Sequence, residues 1–99
     1  MSISNTPPIH PGEILRELYL KPLSMSAYAL AQKLNVPRTR IERLIAQKTG
    51  ITTDTALRLA KFFRTTPEFW MNLQWSYQLK IDAKALKDEL SAIPELEAA

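Results

Sequence analysis

The chain has 99 residues, no cysteine, two glycines and a formal net charge of +3. That length builds one domain around one core. The lack of cysteine excludes a disulfide framework and a thiolate metal site, and no apolar run nears the roughly 20 residues of a membrane-spanning helix.

The composition favours an all-α fold, because glycines are few and β-branched residues scattered. Charge is unevenly placed. Lys33, Arg38, Arg40, Arg43 and Lys48 cluster with only Glu42 against them. From Asp82 onward, Asp82, Asp88, Glu89, Glu95 and Glu97 outnumber Lys84 and Lys87. The middle of the chain is therefore basic and its end acidic.

Residues 1–9 carry two prolines and no periodicity. They read as an arm, ordered only where something holds it. The arm has no Lys or Arg, so it does not suit a minor groove. It also lacks the basic and apolar segments of a signal peptide. His10-Pro11-Gly12-Glu13 opens the first helix. Pro11 suits the first turn and Glu13 its positive dipole end. Ile14, Leu15 and Leu18 form its apolar stripe, and Pro22 ends it. His10 is the only histidine and reads as a helix-start residue.

Ser26 caps the next helix, and Met25 staples onto Leu30. The stretch from Ala27 to Ala46 reads as a helix-turn-helix. Leu30, Ala31 and Leu34 face inward from its first helix. Asn35 takes the left-handed conformation the turn needs, Val36 plugs the turn, and Pro37 starts the second helix. Ile41, Leu44 and Ile45 return that helix to the core. Arg38, Thr39, Glu42, Arg43 and Gln47 then lie on or near its outward side, which suits a DNA major groove. Arg38 or Arg43 matches a guanine edge, whereas Arg40, Lys33 and Lys48 suit phosphates. Thr39 suits a thymine methyl or a phosphate. Glu42 either accepts from a cytosine amino group or pairs with Arg38 one turn earlier. Tyr28 either donates to a phosphate or is simply an exposed aromatic at a helix end.

Gly50 reads as a turn glycine before a helix capped by Thr52 or Thr53, with Asp54 in its first turn. Ala56, Leu57, Leu59, Ala60 and Phe63 supply its core face. Thr66-Pro67-Glu68 opens a fifth helix running to about Lys80. Phe69, Trp70, Leu73 and Tyr77 share one face of it. Met71, Trp75 and Leu79 lie nearly opposite. A helix apolar on two faces buries both, so the second stripe meets either a second copy or the folded-back tail. The two-fold dimer is the expected answer. Asp82 caps a last short helix with Leu86, Leu90 and Ile93 on one side, and Pro94 stops it. The chain thus divides into an arm (1–9), a helix-turn-helix domain (10–80, motif 27–46) and a helical tail (81–99).

Three separated segments, His10 to Leu15 (HPGEIL), Ala56 to Phe63 (ALRLAKFF) and Thr66 to Gln74 (TPEFWMNLQ), flank the motif in order. With it they make the sequence resemble the HigA-type antitoxins of type II toxin–antitoxin modules, within the phage-repressor-like helix-turn-helix class. The resemblance covers about Ile9 to Leu79. It implies a five-helix core, here with a short additional C-terminal helix, and a homodimer. It also implies binding to operator DNA in the protein's own promoter, and neutralisation of a small basic HigB-like toxin of RelE-like, mRNA-cleaving fold. By position in the motif, Arg38, Thr39, Glu42 and Arg43 match the contacting positions of the family's recognition helix, with Arg40 and Gln47 more marginal. Asn35 departs from the usual turn glycine, and the tail beyond Leu79 does not align. A cytoplasmic, nucleoid-associated protein without cofactor, metal or membrane follows. The alternative is a stand-alone repressor of the same fold. Catalysis is disfavoured by a single histidine, no cysteine and no glycine-rich phosphate loop.

Overall fold

His10 starts the architecture. In a computed structural model, which describes residues 6–97, its Nδ1 accepts from the Gly12 amide at 2.9 Å. That bond caps helix α1 (Pro11–Ile14), with Pro11 at its first position. The chain continues as a π-helical segment, Leu15–Leu20. It is followed by α2 (Ala27–Leu34), α3 (Arg38–Ile45), α4 (Thr53–Phe63), α5 (Pro67–Ala85) and α6 (Lys87–Ser91). Among the described residues there is no strand, and the fold is all-α as expected: five main helical stretches and a short C-terminal helix.

The expected caps form. Ser26, Thr52 and Thr66 each accept from the amide three residues on, at Ala29, Thr55 and Phe69. Asn35 closes α2 in the left-handed conformation, at φ 57° and ψ 49°. The core gathers Leu15, Leu20, Leu30, Leu34, Ile41, Leu44, Leu59 and Trp70. Trp70 is wholly buried and donates its indole N–H to Thr65 at 2.8 Å.

Five expectations are corrected. Leu18 is 63% exposed, while Leu15 and Leu20 are buried. The cause is the wider π winding, seen in the Lys21 amide bonding the Arg16 carbonyl, which brings residues five apart to one side. Leu57 is 59% exposed, because Ala56, Leu59, Ala60 and Phe63 already define an arc that excludes it. Pro37 is the cap rather than the first residue of α3, with extended backbone at ψ 143°. Gly50 does not supply the left-handed turn; Gln47 does, at φ 63°. A Cβ on Gly50 would instead meet the Gln74 side chain. Asp82 lies inside α5, which runs on to Ala85, and α6 has no side-chain cap.

The tail does not fold back over the second stripe of α5. Trp75 and Leu79 are 56% and 58% exposed, while Met71 packs partly against the core. Of the arm, Lys80 of α5 donates to the Thr6 hydroxyl at 2.8 Å; residues 1–5 and 98–99 lie outside the described part.

Candidate nucleic-acid interface

Helix α3 buries Ile41 and Leu44 and half-buries Ile45. Three residues at helical spacing fix which way it faces, so Arg38, Thr39, Arg40, Glu42 and Arg43 all stand exposed. Two neighbours hold it. Helix α2 crosses it at the left-handed Asn35. Helix α1 presses on its end, where a Cβ on Gly12 would stand 1.8 Å from the Leu44 carbonyl oxygen. Only a glycine permits that approach.

The exposed cations fall into two groups. Arg38 is tethered: its Nε lies 3.5 Å from Glu42 Oε1, and its guanidinium sits 5.8 Å from the centre of the Tyr28 ring. The Tyr28 hydroxyl accepts from Gln32 at 3.0 Å. Arg40 is tethered to Asp54 at the start of α4, which also accepts from Arg58 at 2.9 Å. These two guanidinium groups, Arg58 foremost, hold the Asp54 carboxyl below its ordinary pKa. By contrast, no side-chain partner among the described residues engages Arg43, Lys33 or Lys48. Exposed pairs contribute little to stability. Their effect here is positional, since they leave Arg43 as the unengaged cation of α3.

Beside Arg43 lies a cleft of about 420 Å³, lined by Thr39, Arg40, Arg43, Thr49 and Thr52 among others. It opens where α3 ends and α4 begins. The Asp54 carboxylate also lines it but is already paired with Arg40 and Arg58, so the hydroxyls and the Arg43 guanidinium near the N-terminus of α4 are what the cleft offers an anion. Gln47 and Lys48 stand past the end of α3, after the Ala46 cap, and not on its outward face.

Sequence reading missed Arg58. Its guanidinium donates to the Leu34 carbonyl at 2.8 Å, tying α4 to the turn of the motif. The four-residue spacing of Asp54 and Arg58 was visible; the reach to Arg40 and Leu34 crosses elements and left no local signal. Gln74 was missed too. Its Oε1 accepts from the Ile51 amide at 2.7 Å, joining α5 to the loop behind α3.

Residues 15–70 match the helix-turn-helix family. The chain is 52% identical over 75 residues to virulence-associated protein I of Dichelobacter nodosus, covering 76% of this chain and 69% of that one. A solved structure of Pseudomonas aeruginosa antitoxin HigA with the higBA promoter superposes with a TM-score of 0.88 at 38% identity, covering 91% of this chain and 99% of that one. The chain belongs to the HigA-type helix-turn-helix antitoxins. Antitoxin GraA in complex with its operator is similar as well, with a TM-score of 0.89 and 38% identity over 99% of this HigA-type chain and 100% of that one. The match spans 63% to 64% of the length of the next three curated relatives. No described helix of the HigA-type chain is long and apolar enough to cross a membrane.

Proposed function

We propose that this chain is an antitoxin and autorepressor. Its dimer binds operator DNA in its own promoter through α3, and it neutralises a small basic toxin of RelE-like, mRNA-cleaving fold. One observation carries the reading. Helix α3 is locked on its inner side by α1 and α2, while Thr39 and Arg43 stand exposed on its outer side. A fixed helix with an unengaged guanidinium is what base reading in a major groove needs.

Within that reading the roles divide. Arg43 and Arg38 meet base edges, and Thr39 a thymine methyl or phosphate. Glu42 acts by holding Arg38. Arg40, Lys33, Lys48 and Gln47 lie along the phosphates, and the Tyr28 hydroxyl points to the backbone at the start of α2. Two copies present two such helices. A two-fold dimer joined through Met71, Trp75 and Leu79 gives the pairing that half-sites one DNA turn apart require, about 34–36 Å.

The test has two arms. The protein is titrated onto the DNA upstream of its own gene at two salt concentrations, and it is co-expressed with the small basic protein encoded beside it. Specific retardation that weakens steeply with salt, together with relief of growth arrest, supports both halves of the reading. Retardation without any growth-arresting neighbour leaves a stand-alone repressor. No specific retardation overturns the operator reading.

A further inference from the structure

We propose that the acidic C-terminal segment of a second copy docks in the cleft between α4 and the start of α5. The cleft has a volume of about 430 Å³ and is lined by Leu57, Ala60, Lys61, Arg64, Thr65 and Pro67. Leu57 is a large apolar side chain left 59% exposed there. Lys61 and Arg64 have no ion-pair partner among the described residues. The cleft thus brings apolar and cationic side chains together.

The tail has the complementary character. Leu86, Leu90 and Ile93 are 41%, 50% and 62% exposed. Asp88, Glu89, Glu95 and Glu97 are exposed and form no ion pair among the described residues. With Asp82, and against Lys84 and Lys87, the segment is net acidic.

In this structure the chain does not place its own tail in its own cleft. The cleft lies at the N-terminal end of α5 and the tail at its C-terminal end. The 19 residues of that helix separate them, about 28 Å at the α-helical rise. A second copy can do so, and this rests on the dimer described above. Two-fold pairing through the α5 stripe runs the helices either parallel or antiparallel. The parallel arrangement sets two acidic tails side by side, which is repulsive. The antiparallel one carries each tail to the basic end of the other copy. With Trp75 near the axis, the partner's Leu86 falls about 16 Å along α5, and Pro67 about 12 Å along it. The partner's tail therefore arrives over the junction that Arg64 and Thr65 form. Pro67 precedes Met71 by four residues and Trp75 by eight, so the cleft wall continues the same stripe.

Charge reversal tests this by sedimentation. One variant carries Lys61→Glu and Arg64→Glu; the other carries Asp88→Lys and Glu89→Lys. Each alone should weaken the dimer about tenfold or more, because each puts like charges in both seats. Mixed in equal amounts, they should form a heterodimer of near wild-type affinity, since each seat then regains opposite charges. A wild-type monomer would overturn the dimer and this inference together. A wild-type dimer indifferent to the reversals, or not restored by mixing, overturns the inference alone. Should a reversed variant fail to fold, a second measurement uses the cysteine-free background. Copies bearing Lys61→Cys and copies bearing Glu89→Cys should cross-link to each other under mild oxidation, and the absence of a mixed disulfide dimer would overturn the docking.

Discussion

Arg43 and Arg40 are neighbours on one helix with different employment. Arg40 is drawn to Asp54, whereas Arg43 has no partner among the described residues. Arg43→Ala should therefore weaken operator binding by about tenfold or more, the low end of the roughly 1–3 kcal/mol that a bidentate guanine contact discriminates. The same change should leave the melting temperature nearly unmoved, because an exposed residue without a partner contributes within about 0.5 kcal/mol. Gel-shift titration beside a thermal melt checks both, and unchanged affinity would remove Arg43 from the interface. At this scale much was legible in the sequence. The i, i+4 spacing of Arg38 and Glu42 showed one reading of Glu42, and the structure makes that pair. Asn35 could be read because few residue types accept its left-handed backbone. Arg58 could not. Its bond to the Leu34 carbonyl spans 24 residues and depends on how α4 lies against the motif.

Helix α1 supports α3, and His10 supports α1. Burial lowers the His10 pKa, partly offset by its bond to the Thr49 carbonyl. The ring is 5% exposed, packs edge-on to Tyr77 at 4.9 Å, and its Nδ1 must stay unprotonated to accept from Gly12. A depressed histidine pKa means the unfolded chain binds the proton more readily. The His10 contribution is therefore complete above the ordinary value of 6.5 and is lost as pH falls from there through the folded pKa. Denaturant midpoints should drop on acidification below about pH 6.5. His10→Asn, which keeps a capping oxygen, should flatten that slope; an unchanged slope would place the titrating group elsewhere. The Glu17 and Asp54 carboxyls, held low by Lys21 and Arg58 respectively, act only at more acidic pH. Gly12→Ala is the harsher change. Its Cβ meets backbone, so it should cost more than about 2 kcal/mol and displace the end of α3. A calorimetric melt reads the first effect and operator affinity the second, and a tolerated alanine would mean that α1 can slide. Elements were legible from caps and periodicity, and their bounds less so. The π segment widened the turn where Leu18 was expected inside. The end of α5 ran past Lys80 because Asp82 has no need to cap where the helix continues.

The whole molecule measures 56 × 24 × 22 Å, longer than its core requires. The 19 residues of α5 supply about 28 Å of that length, and among the described residues nothing covers Trp75 and Leu79 on its second apolar stripe, both more than half exposed. Sequence showed two apolar faces on this helix, because the stripes differ in phase along one segment. It could not show which of them the chain itself would cover, since that depends on how α4 and α5 pack. The structure gives Phe63, Trp70 and Leu73 to the core and leaves Trp75 outside. A tryptophan so placed suits the desolvated centre of an interface, where truncation typically costs about 2 kcal/mol or more. Trp75→Ala should then raise the dimer dissociation constant by more than about tenfold. It should leave each protomer folded, because the side chain is more than half exposed and is not one of those packed against the core. Operator binding should weaken in step, and more on DNA with two half-sites than on a single half-site, because only a dimer links the two contacts. Sedimentation equilibrium and paired titrations on one- and two-half-site DNA read these together. Equal loss on both DNAs would mean that Trp75 acts within the protomer, and the dimer face would have to be sought elsewhere.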